Sequence, residues 1–193
     1  LIMVLNFLFR IKRKLTAIVL SIRLKLKLIE WSQLHGKRIS VGKPINLGRF
    51  FSLNFDASTS KIVIGSKVQF RDFCQLRSGM NGELKIGNRV FFNNFCSITC
   101  FHTITIGDDC QFGEGVKFYD HNHQYKSTGK LINDQGYSTG SIAIGNNCWI
   151  GSNVVILKDV TIGNNVIIGA GCIIHKSVES DSVVINKQQL LNL

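Results

Sequence analysis

A six-residue pattern of apolar and polar positions runs through the chain from residue 64 onward. Each repeat begins with an aliphatic or aromatic residue, often followed by Gly and by Asn or Asp, and a small or apolar residue stands four places later; Ile86-Gly87-Asn88 with Val90 is an example. This period fits neither a helix, at about 3.6 residues, nor a flat strand, at about two. It predicts a chain that runs straight, turns, and closes one coil in three repeats, which is typical of a parallel β-helix.

The spacing of the repeats also predicts where the coils are interrupted. Ile144, Ile162 and Ser180 are eighteen residues apart, which is one coil of three repeats. Ile106 and Ile144 are 38 residues apart, so a loop of about twenty residues replaces regular repeats there. The sequence therefore predicts a β-helix domain over residues 39–186 with an inserted loop at 119–142, followed by a short tail at 187–193.

The phase of the repeat also accounts for five of the six cysteines. They occupy the fifth place of a repeat, where Val stands in other repeats, and a thiol is a small and readily buried apolar group. This favours core packing over disulfides or a metal site, and free thiols indicate a reducing compartment. The five residues are Cys74, Cys96, Cys110, Cys148 and Cys172.

The positive charge lies almost entirely in an N-terminal segment. Residues 1–43 hold ten Lys or Arg against one Glu, which is +9 of the total +11. Within residues 1–38 the spacing of apolar residues predicts a basic amphipathic helix. Neither apolar run reaches the roughly 18 residues of a membrane-spanning helix, and no cleavage site follows Ile22. The apolar stripe consists of Leu15, Ile18, Val19, Ile22, Leu26 and Ile29.

Two interpretations of this segment stay open. Residues 1–30 could bind an anionic membrane surface, or the helix could pack on its own domain or on a sister subunit. Nucleic acid is not expected as a partner, because no aromatic pattern accompanies the bases. The expected location is cytoplasmic, with peripheral binding to the inner face of the membrane as the further alternative.

Two stretches resemble a known family. The segments 144–156 (IGNNCWIGSNVVI) and 160–171 (VTIGNNVIIGAG) are similar to the hexapeptide-repeat acyltransferases. The resemblance is closest to the maltose/galactoside O-acetyltransferase branch and its polysaccharide-modifying relatives. It implies an all-β, left-handed parallel β-helix, a homotrimer, acetyl-CoA as donor, and active sites between adjacent subunits.

The inserted loop carries the candidate chemistry. Its first residues, 119–125, read YDHNHQY and include two histidines. Acetyl transfer to a hydroxyl needs a base, and histidine suits this role. In the family the catalytic histidine lies about twenty residues before the Ile-Gly-Asn-Asn-x-Trp stretch, and counting back from Ile144 places His123 there. We therefore expect His123 to be the general base, with Asp120 or His121 as its orienting partner.

The resemblance also implies cofactor and acceptor sites. In the coil before the loop, Asn93 or Asn94 could hydrogen-bond the acceptor. The ammonium group of Lys176 suits a phosphate of the cofactor. His175 stands where the family usually has Thr, and the family's Gly-x-Pro-Ala segment is missing from the end of this chain. The residues at the positions that line the acetyl-CoA groove in the family are Trp149, Ser152, Ala170, His175 and Lys176, of which His175 alone departs from the family's residue.

No metal is expected. His102, His121 and His123 are separated by nineteen and two residues, which does not match the three-histidine zinc site of the γ-class carbonic anhydrases. The predicted function is O-acetylation of a sugar or a surface-polysaccharide precursor. The alternatives are N-acetylation of an amino sugar and a non-catalytic β-helix scaffold.

Overall fold

The computed structural model describes residues 2–187 and forms the parallel β-helix that the repeat predicts. The predicted tail beyond residue 187 lies outside the described residues. Three sheets, called here A, B and C, follow one another around each coil.

The strands of each sheet come from successive coils and pair in parallel. Sheet A contains β1 (Ile39–Val41), β4 (Lys61–Ile64), β7 (Glu83–Ile86), β10 (Thr103–Ile106), β15 (Ser141–Ile144) and β18 (Val160–Ile162). Sheet B contains β2 (Ile45–Leu47), β5 (Val68–Phe70), β8 (Phe91–Phe92), β11 (Gln111–Phe112), β16 (Trp149–Ile150), β19 (Ile167–Ile168) and β21 (Val183–Val184). Sheet C contains β3 (Ser52–Phe55), β6 (Gln75–Ser78), β9 (Ser97–Cys100), β12 (Lys117–Tyr119), β17 (Val155–Leu157) and β20 (Ile173–Ile174).

The interior is built from ladders of identical or similar residues in register. Because alternate residues of a strand point to opposite faces, the first apolar residue of each repeat points inward and meets its counterpart in the next coil. Phe92 stacks between Phe70 and Phe112, with ring centroids 4.7 Å apart on both sides. All six cysteines are buried, as the repeat phase predicts for five of them.

The turns between sheets A and B are joined by a ladder of side-chain hydrogen bonds. In each step a side-chain oxygen of one coil accepts the backbone N–H of the coil before it, as Asp108 Oδ1 does from Asn88 N at 2.7 Å. A side chain at the neighbouring glycines would collide with the next coil: a Cβ on Gly87 would lie 2.7 Å from the carbonyl of Gly107. The acceptors in order are Asn88, Asp108, Asn146, Asn164 and Ser180.

Among the described residues, those up to residue 39 form a separate compact unit, and those from residue 40 onward form the other. Helix α1 (Ile2–His35) is followed by one turn of 3-10 helix, Gly36–Arg38. A helix of this length extends about 50 Å at a rise of about 1.5 Å per residue. Within the described part of the chain, no helix is apolar over a long enough stretch to cross a membrane.

Candidate active site

The inserted loop forms a hairpin that projects from the turn between sheets C and A. Its strands β13 (His121–His123) and β14 (Tyr137–Thr139) pair antiparallel, so that His123 lies opposite Tyr137. A 3-10 turn at Ile132–Asp134 lies within the loop. The Gln135 side chain accepts the Ser127 N–H at 2.9 Å and donates to the carbonyl of Lys130 at 3.0 Å, which holds the tip of the loop together.

Asp120 anchors the start of the hairpin. Its side chain is fully buried, and its carboxylate accepts the backbone N–H groups of Phe101 and His102, each at 2.8 Å. The carbonyl of Asp120 accepts the N–H of Gly140, where the hairpin ends. Burial and this nearby carboxylate raise the pKa of the Cys100 thiol, which therefore stays protonated. Asp120 thus ties the start of the loop to the preceding coil through its carboxylate and joins the two ends of the loop through its carbonyl.

His121 lies in an aromatic enclosure next to Asp120. Its Nδ1 is 3.3 Å from Asp120 Oδ1, and its ring stacks on Phe101 with centroids 4.0 Å apart. Tyr137 packs edge-on against the same imidazole at 5.4 Å. The Asp120 carboxylate and the two aromatic rings therefore fix the orientation of His121, and only 14% of its side chain is exposed.

His123 is the exposed histidine of the pair, and it faces a pocket. Its ring centroid lies 4.5 Å from that of Tyr137. The pocket has a volume of about 370 Å³ and combines polar, aromatic and basic side chains. It is lined by Asn122, His123, Gln124, Tyr125, Lys126, Ser127, Gln135 and Ser138.

The structure therefore gives the three predicted loop residues different environments. Asp120 contacts His121, whereas His123 contacts Tyr137 and the pocket. Sequence reasoning missed Phe101, Tyr137 and Lys126, which contribute to these environments. The sequence offers no signal for Tyr137, because its position opposite His123 depends on the hairpin register within a loop that has no repeat.

The predicted acceptor residues lie at a different edge of the β-helix, at the turns between sheets B and C. Asn93 and Asn94 directly follow β8. The Asn94 side-chain oxygen accepts the N–H of Asp72 at 3.1 Å, and that of Asn93 accepts the N–H of Asn94 at 2.9 Å. Both amide oxygens are thus engaged in the turn, and the two side chains are partly exposed.

The predicted cofactor residues are divided between two edges. Ser152 follows β16 and Ala170 follows β19, so both lie at the same B–C edge as Asn94. Gly171 donates its N–H to the carbonyl of Ser152 across two coils of this edge. Trp149 is 58% exposed on sheet B, next to this edge. His175 and Lys176 are exposed after β20, at the C–A edge that also carries the loop. Within one chain, sheet C therefore separates the loop histidines from Asn93, Asn94, Ser152 and Ala170.

The described residues contain no group of three or more His, Cys, Asp or Glu side chains that could hold a metal ion.

Comparison with known proteins bears on the same part of the chain. Residues 141–176 match the family of bacterial transferase hexapeptides (six repeats). This match confirms the resemblance to hexapeptide-repeat acyltransferases. Among curated proteins, no sequence matches the chain.

Several solved structures share the fold. A maltose O-acetyltransferase from Clostridium difficile is 25% identical, with a TM-score of 0.51, over 80% of this chain and 69% of its own. A hexapeptide-repeat acetyltransferase from Vibrio cholerae, complexed with acetyl-CoA, is 22% identical over 85% and 79%, with a TM-score of 0.54. A point mutant of AntD, an N-acyltransferase from Bacillus cereus, in complex with dTDP and coenzyme A, is 17% identical over 82% and 83%, with a TM-score of 0.66. Together with the family match, these neighbours support an acyltransferase role.

Proposed function

We propose that this chain is an acetyl-CoA-dependent O-acetyltransferase that acetylates a hydroxyl of a sugar or a surface-polysaccharide precursor. The observation that carries the proposal is the placement of His123 at a polar pocket, on a hairpin that is anchored to a rigid hexapeptide-repeat β-helix. A rigid scaffold with a projecting functional loop is a common arrangement of catalytic groups. Coenzyme A or acetyl-CoA is bound in two of the neighbours, and maltose is named as the acceptor of another.

The reaction requires two proton transfers, one from the acceptor hydroxyl to His123 and one from His123 to the leaving thiolate. His123 takes the proton of the acceptor hydroxyl as its oxygen attacks the thioester carbonyl of acetyl-CoA. A tetrahedral oxyanion forms, and the carbon–sulfur bond then breaks. The imidazolium of His123 returns the proton to the leaving thiolate, so that the products are the acetyl ester and coenzyme A. Backbone or side-chain donors must stabilise the oxyanion.

The pocket suits a polar acceptor. Its volume of about 370 Å³ lies in the usual range for small-molecule sites. Gln124, Ser127 and Gln135 offer amide and hydroxyl groups to sugar hydroxyls, and Lys126 adds a cation. Tyr125 is exposed beside them and presents an apolar ring face. Such a combination recognises hydroxyl-rich rings better than it recognises apolar molecules.

We further propose that the complete site forms between subunits of a homotrimer. The loop, His175 and Lys176 lie at the C–A edge, whereas Asn93, Asn94, Ser152 and Ala170 lie at the B–C edge of the same chain. Two different edges come together when each subunit contacts the next head to tail, and such heterologous contacts close into rings. The acetyl-CoA groove would then take Ser152 and Ala170 from one subunit and Lys176 from its neighbour.

Subunit complementation tests this arrangement. His123→Ala removes the base from one edge, and Ala170→Arg obstructs the cofactor groove at the other edge. Each variant alone should be inactive, whereas co-expressed chains should recover roughly a quarter to a third of the activity, because mixed trimers contain sites with both edges intact. Light scattering must show a mass of three chains. If trimers that are shown to contain both variants remain inactive, the shared site is contradicted.

The acyltransferase proposal is tested by thiol release from acetyl-CoA. Sugars and amino sugars should be compared as acceptors, since one neighbour is an O-acetyltransferase and another an N-acyltransferase. We expect release with a hydroxyl acceptor, and a decrease of kcat by roughly 100- to 10,000-fold in His123→Ala. His35→Ala, outside the β-helix, is the matched control. Release with amino sugars alone favours N-acetylation, and no release with any acceptor favours a scaffold.

We also propose that helix α1 binds an anionic membrane surface. The side chains of Leu15, Val19, Ile22, Leu26 and Ile29 are exposed and form one stripe of the helix. The helix carries seven Lys or Arg and only one acid, Glu30. Identical helices would repel each other with this charge, whereas anionic headgroups attract it at about 1 kcal/mol per base near the surface.

Vesicle binding distinguishes the two alternatives for this helix, which are binding to a membrane surface and contact with another subunit. Vesicles with one third phosphatidylglycerol should bind the protein, and pure phosphatidylcholine vesicles should not. Deleting residues 1–30, or raising the salt concentration, should abolish binding because screening weakens surface electrostatics. Replacing Arg23 and Lys25 by Gln should weaken it partially. If Leu15→Ser and Leu26→Ser change the oligomeric mass but not vesicle binding, the stripe is a subunit contact instead.

A further inference from the structure

A stack of three exposed phenylalanines lies at the B–C edge in the first coils. The ring centroids of Phe50 and Phe73 are 4.8 Å apart, and those of Phe73 and Phe95 are 4.9 Å apart, with nearly parallel planes in both pairs. The exposed fractions of these residues are 63%, 40% and 51%. The stack is thus an apolar ridge along the β-helix, about 10 Å long at the usual spacing between strands.

The fold itself does not require phenylalanine at this turn. All three residues have left-handed backbone conformations, with φ of 57°, 61° and 61°. This region is sterically unfavourable for a bulky side chain. In the later coils the same turn position is occupied by Gly115, Asn153 and Gly171, which are suited to that conformation. Since the later coils form this turn without a large apolar side chain, the exposed rings indicate a role in contact with another molecule.

The position of the ridge connects it to the acceptor. Asn93 and Asn94, the predicted acceptor residues, directly precede Phe95 in the same turn. Along this edge, therefore, the ridge continues the groove that we propose for acetyl-CoA and the acceptor. A molecule whose hydroxyl lies near Asn94 can extend along the ridge away from the cofactor.

The shape and charge of the ridge favour a hydrocarbon chain. Phe73 has both ring faces covered by its neighbours, and Phe50 and Phe95 each have one face covered, whereas sugar rings pack on open aromatic faces. Two of the flanking charges neutralise each other, since Arg49 and Asp72 form an ion pair with Arg49 Nη2 2.6 Å from Asp72 Oδ2. The exposed Arg71 guanidinium lies over the Phe91 ring, 5.9 Å from its centroid. The three rings themselves carry no charge, and the ridge can bury a chain of several methylenes, whose removal from water favours binding.

We infer that Phe50, Phe73 and Phe95 bind the apolar portion of the acceptor, so that the acceptor is a glycan joined to a hydrocarbon chain. This inference rests on the proposed acetyltransferase function and specifies its substrate class. Acceptors of this class differ from free sugars in one property that can be measured, the dependence of KM on the length of the attached chain.

Matched glycosides test the inference. Methyl and octyl glycosides of the same sugar, used below the concentration at which micelles form, are compared as acceptors in the thiol-release assay. In the wild-type protein the KM of the octyl glycoside should be at least about tenfold lower. In the triple variant Phe50→Asn, Phe73→Asn, Phe95→Asn the ratio should fall to about one. Asn tolerates the left-handed conformation, so this variant should fold. Met80→Asn, at another exposed left-handed turn, is the control and should keep the wild-type ratio.

A binding measurement keeps this test independent of turnover. Calorimetric titration with octyl glycoside should give binding to the wild-type protein and none to the triple variant, even if no acceptor is acetylated. Lack of turnover with every acceptor contradicts the proposed function, whereas equal binding of methyl and octyl glycosides contradicts the ridge. Loss of vesicle binding in the triple variant would assign the ridge to the membrane, and dissociation of the oligomer would assign it to a subunit contact. Both outcomes would overturn the inference.

Discussion

The Oδ1 atom of the buried Asp120 lies 3.3 Å from Nδ1 of His121. The same carboxylate holds the backbone N–H groups of two residues in the preceding coil. One buried side chain therefore fixes the hairpin to the scaffold and orients the first histidine of the loop. With Nδ1 donating to the carboxylate, the other ring nitrogen, Nε2, is left as the acceptor.

Removal of the Asp120 carboxylate should destabilise the fold. In Asp120→Ala the N–H groups of the buried Phe101 and of the adjacent His102 lose their buried acceptor. Each unsatisfied buried group costs about 1–3 kcal/mol, so the loss of both bonds should decrease the free energy of unfolding by roughly 2–6 kcal/mol. Urea unfolding measures this change. Asp134→Ala, at an exposed position of the same loop, should change it by less than about 0.5 kcal/mol.

The same carboxylate should determine the tautomer of His121. Nitrogen NMR of the wild-type protein should show a proton on Nδ1 of His121 at a pH where the ring is neutral. Asp120→Asn, which keeps the size of the side chain, should shift the population toward the other tautomer. An unchanged tautomer in this variant would mean that Asp120 anchors the backbone alone.

The two histidines should differ in their contributions to catalysis. His123 faces the pocket, so His123→Ala should decrease kcat by roughly 100- to 10,000-fold with little change in the KM for acetyl-CoA. His121 is enclosed by Phe101 and Tyr137, so His121→Phe should preserve the packing and decrease kcat only by about tenfold. The reverse order of effects would identify His121, oriented by Asp120, as the base.

The scaffold was predictable because its sequence signal is repetitive. Each coil buries the same positions, so the ladder of Ile86, Ile106, Ile144 and Ile162 is visible as a period in the amino-acid sequence itself. The burial of Cys148 and Cys172 follows from their phase in the same repeat. A local pattern repeated many times fixes an inward face without knowledge of distant contacts.

The environment of the candidate site was less predictable, because it depends on pairs that no repeat defines. The sequence predicts that Asp120, His121 and His123 lie in one loop, but their roles differ through contacts with Phe101 and Tyr137. These contacts follow from the hairpin register and from the turn of the preceding coil. The division of the predicted residues between two edges likewise becomes visible only when each strand is assigned to a sheet.

The interior phenylalanine stack should contribute strongly to stability. Phe92 is fully buried between Phe70 and Phe112. Phe92→Ala should therefore decrease the free energy of unfolding by about 3–5 kcal/mol, through lost burial and the resulting cavity. The matched exposed substitution, Phe95→Ala, should cost less than about 1.5 kcal/mol, the upper value for one aromatic pair. Thermal unfolding of both variants measures the difference, and equal losses would show that exposed and interior stacks stabilise the coils alike.

One hydrogen bond of the ladder between sheets A and B, the bond that Asp108 accepts, should make the stability of the protein depend on pH. Hydrogen bonds from the backbone and side chain of Asn88, the former at 2.7 Å, hold the pKa of Asp108 below its usual range. A carboxyl whose pKa is lower in the folded state stabilises the protein above its unfolded pKa, and this contribution is lost as the pH falls through the folded pKa. Asp108→Asn should keep the hydrogen bond, because Asn146 and Asn164 make the same bond in the later coils. Unfolding midpoints between pH 7 and pH 3 should therefore fall less steeply for the variant than for the wild-type protein. Parallel curves would show that the Asp108 charge adds nothing to the bond that the neutral amide also makes.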